Sequence, residues 1–467
     1  MYPHSRRTLW IASLATLATF LDTTVLYVAF PDISKTFSGA SAAQLSWVLN
    51  AYTIVFAALL IPAGKLADRV GHRRVFLIGS ALFTAASMAC GLAPTVDLLI
   101  AFRVLQAAGA AALIPASLAL VMHAFAHDQL PRAVALWGAA GAAAGALGPT
   151  LGAALVEGFG WRAAFFLNLP VGIYTIVDGT RHVRESSSPD TRVPSFIGVA
   201  LVAATAALFS YALIVTEDDG WLGGKTLALV AAGVVALTLF IAHQSRTDAP
   251  ALDLELFKTR NFSWGNLTML VFGTAFSAMF FGSILFLTQA WHWSILRAGL
   301  GVAPGPAIVA LLAPRMGKLA GRIGQRPILI VGGLLYAVAG LLRLTMLGPD
   351  ASYFADYLPS MVFSGLGVAF VFPQLSSLVA QALPTGRTGV GGAALQAGRQ
   401  FGATFGVALT IALLGHGGVG AFARFDRIWW VIVIGGVATS ALVLPTRAAA
   451  SVAVAATSDP AASALAH

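Results

Sequence analysis

Apolar stretches long enough to cross a bilayer recur along the whole chain, and that restricts it to very few folds. Windows of about 20 apolar residues fall at 8–30, 45–63, 75–94, 98–121, 132–155, 162–180, 195–216, 226–243, 264–287, 298–314, 327–347, 357–379, 388–414 and 428–445. Inside lipid a backbone must satisfy its own polar groups, so each window reads as a helix. The tenth window is the least regular, being short and broken by Pro304 and Pro306. With 58% hydrophobic and 10% charged residues among 467, the composition also lies outside the soluble range. The expected fold class is an all-α integral membrane protein with 14 transmembrane helices. Arg6 and Arg7 ahead of the first window look like the start of a signal peptide, but the run continues past Asp22 to Phe30 and is long enough to span.

Cations sit in short loops between the apolar runs, so the net charge of +9 is a topology signal and not a nucleic-acid patch. If the N-terminus is cytoplasmic, 19 of the 28 Lys and Arg fall in cytoplasmic segments and 6 in outer loops, while Arg103, Arg343 and Arg399 lie within helices. That bias places both termini inside the cell, in the inner (plasma) membrane. Arg far outnumbers Lys and Ala and Gly are abundant, which points to a bacterium. Trp10, Trp47, Trp161, Trp221, Trp264, Trp291 and Trp293 lie near helix ends, where interfacial anchors belong. The single cysteine, Cys90, excludes an intrachain disulfide.

One short loop is copied. Gly64–Arg74, GKLADRVGHRR, returns 253 positions later as GKLAGRIGQR at Gly317–Arg326, with Asp68 replaced by Gly321. The first copy joins helices 2 and 3 and the second joins helices 10 and 11, a shift of eight that two six-helix halves separated by two extra helices produce. Residues 1–180 form the N-terminal half and 264–445 the C-terminal half. Between them, 181–263 carries the two inserted helices and a cytoplasmic segment in which Leu252, Leu254, Leu256 and Phe257 suggest an amphipathic piece on the membrane surface. The Ala/Ser-rich tail, 446–467, reads as disordered and cytoplasmic.

The glycines of the loop permit tight turns, and Asp68 among cations offers a lockable charge pair. The loop resembles the helix 2–3 signature of the major facilitator superfamily through Gly64, Leu66, Asp68, Arg69, Gly71 and Arg73, with His72 at a variable position. That resemblance implies a gating role for Gly64, Asp68, Arg69, Gly71, Arg73 and Arg74.

Asp22 lies near the middle of helix 1 in FLDTTVLYVAFP, where an ionised carboxylate costs roughly 2.5–3.5 kcal/mol on insertion scales. It is kept for a use or held structurally by Thr23, Thr24 or an arginine. The stretch resembles the helix 1 signature of drug:proton antiporters, with Tyr27 in place of a common Asn. In RVLQAAGAA, Arg103 and Gln106 resemble the family's helix 4 pattern, which implies that Arg103 lines the proton path; snorkelling to the interface is the alternative. Helix 5 carries Gly141, Gly145, Gly148, Pro149 and Gly152, small residues that let helices approach and a proline that bends the axis. This run resembles a motif of the superfamily's exporters, generally lacking from its importers. GWRAAFFLNLPVG, PALDLELFKTRNF and AGRQFGATFGVA resemble stretches of the fourteen-helix drug:proton antiporter branch, so the resemblance covers nearly the whole chain.

Among smaller candidates, Phe272, Phe276 and Phe280 share one helix face that lines a lipophilic cavity or faces lipid, Asn50, Asn168 and Gln289 are placed to touch a substrate, and Gln106 is a further candidate for the substrate cavity. Arg399 faces the cavity or snorkels. His123 and His127 lack further ligands, so no metal is expected. Absence of a phosphate-binding loop and of a nucleophile triad argues against an ATP-driven pump and an enzyme, and no cofactor is called for. What the resemblance implies is a proton-coupled antiporter exporting lipophilic small molecules by alternating access, with the bilayer, protons and substrate as partners, no nucleic acid, and a monomer as the expected state. Substrates would be neutral, monocationic or amphipathic, since few acidic residues lie inside helices. A lipid-handling or assembly protein on the same scaffold, or an uptake transporter, remains open.

Overall fold

The computed structural model describes residues 3–126, 129–187, 195–247, 250, 252–348, 352–383, 388–415 and 421–446. His127, Asp128 and the tail from Arg447 lie outside them. Among the described residues the chain is all helical, with 13 helices long and apolar enough to span, or 14 with the bent fifth included. The helices are α1 (Pro3–Thr36), α2 (Ala42–Val70), α3 (His72–Gly91), α4 (Val96–Ala124), α5 (Leu130–Phe159) and α6 (Arg162–His182). The inserted pair is α7 (Phe196–Asp219) and α8 (Gly224–Gln244). The second half holds α9 (Arg260–Ala290), α10 (Ile295–Val302 continuing as Pro304–Ile323), α11 (Gln325–Met346), α12 (Tyr353–Gln381), α13 (Thr388–Leu414) and α14 (Ala421–Val443). The α10 break falls directly before Pro304, as the sequence led one to expect.

Local chemistry sets several of these boundaries. Ser41 and Gln44 form a capping box that starts α2, with Gln44 N donating to Ser41 Oγ at 3.2 Å and Ser41 N donating to Gln44 Oε1 at 3.0 Å. The copied loops are built alike, because Gly71 (φ 121°) ends α2 and Gly324 (φ 82°) ends α10, each at a φ open chiefly to glycine. Helix α5 bends by 47° between its Leu136–Gly145 and Leu147–Phe159 parts. Pro149 supplies the reason: it has no N–H to return to the Gly145 carbonyl.

The halves meet along three seams. Helix α2 packs on α13, where the hydroxyls of Thr53 and Thr404 are 2.6 Å apart. Helix α1 meets α9 through the Tyr27 and Ser277 hydroxyls at 3.1 Å and through an edge contact of Phe30 with Phe281, centroids 4.9 Å apart. Helix α5 meets α10 on the face opposite the termini, where Glu157 Oε2 accepts from Leu296 N at 2.6 Å. The inserted α7 lies against both α2 and α13 and so touches both halves.

Two expectations are corrected. Leu254–Lys258 is a short 3-10 helix whose Leu256 is buried, with Leu252 and Phe257 packed on the core, so its apolar side chains are taken up by protein and not laid on a membrane surface. Trp161 and Trp291 are buried and not interfacial. The Trp161 backbone N–H donates to Asp32 Oδ2 at 2.9 Å and its indole N–H to Thr36 Oγ1 at 3.0 Å, so protein oxygens replace the water an interfacial indole would use.

Candidate functional site

Asp22 occupies the centre of the N-terminal half at 4% exposure. Three helices besides its own α1 build the cluster around it. Helix α4 contributes Arg103 and Gln106, three residues apart on one face. Arg103 Nη1 donates to Asp22 Oδ2 at 2.6 Å, and Gln106 Nε2 donates to Asp22 Oδ1 at 2.8 Å. Asn168, on α6, donates from Nδ2 to the same Oδ1 at 2.8 Å. Ser87 of α3 closes the ring, accepting from Gln106 at 3.2 Å and from Asn168 at 3.0 Å while donating to Phe165 O at 2.9 Å.

Arg103 is 1% exposed, which rules out snorkelling. Its guanidinium donates to Gln106 Oε1 at 2.7 Å and to Val48 O at 3.2 Å, and lies 4.0 Å above the Tyr52 ring. A buried ion pair is tolerable only when its remaining donors and acceptors are also met, and here both carboxylate oxygens are occupied. The alternative of a Thr cap is not used: Thr24 instead donates to Ala144 O of α5 at 3.3 Å. Cys90 lies at the edge of the cluster, its Sγ 3.8 Å from Gln106 Oε1.

The exporter-like glycines fix how α5 meets its neighbours. A side chain at Gly148 would meet Thr24 Cβ at 2.7 Å, and one at Gly152 would meet Val25 Cα at 3.0 Å, so α1 and α5 touch through these two positions. Gly141 faces Phe20 at 3.2 Å. Gly145 is different: nothing lies within 4 Å of its missing side chain, and its place is at the bend, not in a close helix contact. On the other side Pro149 and Ala153 press on Gly299 of α10.

Around the loop at Gly64–Arg74 the contacts stay within the first half and the linker after it. Asp68 Oδ1 is 2.8 Å from His72 Nε2, and His72 Nδ1 is 3.0 Å from Ser186 Oγ. The Glu185 carboxylate accepts the backbone N–H groups of Arg73 at 2.9 Å and Arg74 at 3.2 Å, capping the start of α3. Arg73 Nη2 reaches Thr180 O at 2.7 Å, whereas Arg69 is exposed and makes no ion pair among the described residues. Gly64 lets α2 pass Pro115 of α4, 3.3 Å from where a side chain would begin. His72, given no role by the sequence reading, is 2% exposed. Glu185 and Ser186 were missed as well, because nothing in a polar linker marks the helix end it will cap.

The remaining candidates divide. Phe272 and Phe280 are buried and Phe276 half-buried, so this face looks inward and not to lipid. Arg399 is half-buried over the Phe372 ring, 4.5 Å from its centroid. Asn50 is buried and donates to Ser46 Oγ at 2.9 Å, and Asn168 serves Asp22 as described. Gln289 lines a cavity of about 310 Å³ between the halves on the face away from the termini, with Pro31, Lys35, Thr288 and Trp293. Neither Asp22 nor any of its hydrogen-bond partners lines that cavity, so the candidates named from the sequence do not form one site.

A pair of six-helix bundles meeting face to face, with a buried carboxylate in one of them, defines the class: a multi-pass membrane transporter. The sequence profile of the Major Facilitator Superfamily matches residues 12–407. The chain belongs to that superfamily. It is 33% identical over 408 residues to the multidrug resistance protein Stp of Mycobacterium tuberculosis (strain CDC 1551 / Oshkosh), covering 87% of this chain and 75% of Stp. It is 32% identical to the methylenomycin A resistance protein of Bacillus subtilis (strain 168), covering 86% and 85%. Among solved structures, a peptide transporter POT in complex with sulfate superposes with a TM-score of 0.67 at 17% identity, covering 94% of each chain, a likeness of fold alone.

Proposed function

We propose that this protein is a proton-coupled antiporter that exports lipophilic small molecules, with Asp22 as the proton-carrying group and alternating access between the two halves as the mechanism. The observation that carries the reading is the Asp22 cluster itself: an acid 4% exposed, held by Arg103, Gln106 and Asn168. Relatives named for multidrug and antibiotic resistance support export as the direction. The termini face the cytoplasm of a bacterial inner membrane, and the chain works as a monomer.

Protonating Asp22 removes the charge that balances Arg103. The 2.6 Å ion pair becomes an ordinary hydrogen bond beside an uncompensated guanidinium, and the grip of α4 on α1 loosens. Because Arg103 also holds the α2 backbone at Val48, and α2 packs on α13 of the other half, the change reaches a seam between the halves. A proton entering along the membrane potential supplies about 2.3 kcal/mol per 100 mV. Asp68, Arg69, Arg73 and Arg74 act in the gate at the cytoplasmic side.

The test is the internal pH of proteoliposomes holding an imposed proton gradient, read while dyes and antibiotics are added. A compound that collapses the gradient with wild type and not with Asp22→Asn is the expected result. Equal proton flux in the two proteins, or none for any compound, would overturn the reading.

A further inference from the structure

The charge expected to meet a substrate changes once the side chains are placed. Asp22, the acid deepest in the helices, has both oxygens taken by Arg103, Gln106 and Asn168, so it has no free acceptor for a cation. Asp178, near the end of α6, is paired with His182 at 2.8 Å. On the other side of the ledger stands Arg399 on α13, which makes no hydrogen bond or ion pair among the described residues. Its guanidinium lies 4.5 Å from the centroid of the Phe372 ring, with the Tyr27 phenol of the other half in electrostatic reach and no carboxylate beside it among the described residues. Gln396, three residues earlier and so on the same helix face, has a buried Nε2 with no hydrogen-bond partner among the described residues.

Arg399 stands at one end of an aromatic wall, with Gln396 on the same face of α13. Phe372 meets Phe276 at 5.2 Å, Phe276 meets Phe280 at 6.1 Å, and Phe280 meets Tyr27 of the other half at 5.8 Å. The wall therefore crosses the seam between α9 and α1. An unsatisfied amide N–H₂ beside a guanidinium is a costly arrangement unless an acceptor visits it, and the acceptor that suits both is an anion.

We infer that Arg399 and Gln396 bind the acidic group of an amphipathic organic anion, such as a carboxylate on an aromatic body, with the body lying along Phe372, Phe276 and Phe280. This rests on the transport reading above and narrows it: of the neutral, monocationic or amphipathic substrates expected from the sequence, it takes the amphipathic ones and gives them an acidic group. Exchange of such an anion outward for a proton inward moves both charges in the direction that an inside-negative potential favours.

Three probes with one aromatic body separate charge from shape: pyrenebutyric acid, pyrenebutanol and pyrenebutylamine. Binding to the full-length protein in detergent is read from pyrene fluorescence at neutral pH. The acid is expected to bind about tenfold more tightly than the alcohol, the worth of one charge-assisted hydrogen bond, and the amine most weakly. Arg399→Gln brings the acid to the level of the alcohol, whereas Arg399→Lys keeps most of the preference. Gln396→Leu, which leaves the charge in place, weakens acid binding about threefold and serves as the readout should Arg399→Gln not be recovered folded. An amine that binds as tightly as the acid, no binding of any probe, or a preference that survives both Arg399→Gln and Gln396→Leu overturns the inference. Proton-driven export is scored separately in proteoliposomes. Export of the alcohol without acid preference sinks this inference and leaves the transport reading standing; acid-selective binding without proton-driven export does the reverse.

Discussion

Arg103 and Arg343 are 1% and 0% exposed, one in each half, yet their surroundings differ in the term that matters most for a buried charge. Arg103 has the Asp22 carboxylate at 2.6 Å. Arg343, on α11, has none: its guanidinium donates to Ser283 Oγ at 2.8 Å, Ser360 Oγ at 3.1 Å and Met361 Sδ at 3.1 Å, and lies 4.7 Å from the Trp429 ring centroid. An arginine cannot shed its proton, so the second half carries a net buried charge that hydroxyls and ring faces screen only in part. The scaffold is repeated, but its chemistry is not. Helix α11 is the counterpart of α3, and α3 holds Ser87 where the charge cluster needs a neutral bridge. Among the described residues a fully buried ion pair sits in the first half alone, which is where the proposed proton-driven cycle has its coupling group.

The comparison can be broken by removing the two arginines in turn. Arg103→Met strands the Asp22 carboxylate, and unfolding in detergent should show a loss of about 3–5 kcal/mol. A double substitution, Asp22→Asn with Arg103→Gln, removes both charges and should regain most of that loss in the same assay, with proton coupling still absent. Arg343→Met deletes a charge that has no carboxylate beside it, so its hydrogen bonds and its contact with the Trp429 ring are lost and the cost should be about 1–2 kcal/mol. If Arg343→Met proves as damaging as Arg103→Met, the contrast between the halves is wrong. The smallest effects sharpen it: Ser87→Ala and Ser283→Ala should each cost about 1 kcal/mol. Proton-coupled transport is expected to fall in Ser87→Ala and to persist in Ser283→Ala.

Much of this was readable along the chain. The apolar windows, the break at Pro304 and the bend before Pro149 depend on neighbours within a few residues, and they appear where their local cause lies. So does the loop repeat, whose Gly71 and Gly324 take the same kind of backbone turn. The roles of polar residues were harder to see. Asn168 reads as a group near a helix end, and only the packing of α6 on α1 turns it to Asp22, 146 positions away. His72 fills a variable position in the loop motif, yet it becomes the buried link between Asp68 and Ser186.

The amino-acid sequence by itself determined that this is a helical membrane protein of two related halves with an inserted pair of helices. Those conclusions follow from hydrophobic length, loop charge and local repetition, each a property of consecutive residues. The tertiary structure decided which charges are satisfied: Arg103 is paired with an acid 81 positions distant, Arg343 rests on hydroxyls and rings, and Arg399 stands over Phe372 with no counter-charge among the described residues. The physical reason is that the cost of a buried charge depends on groups within a few ångströms in space, and in a helical bundle those groups come from other helices.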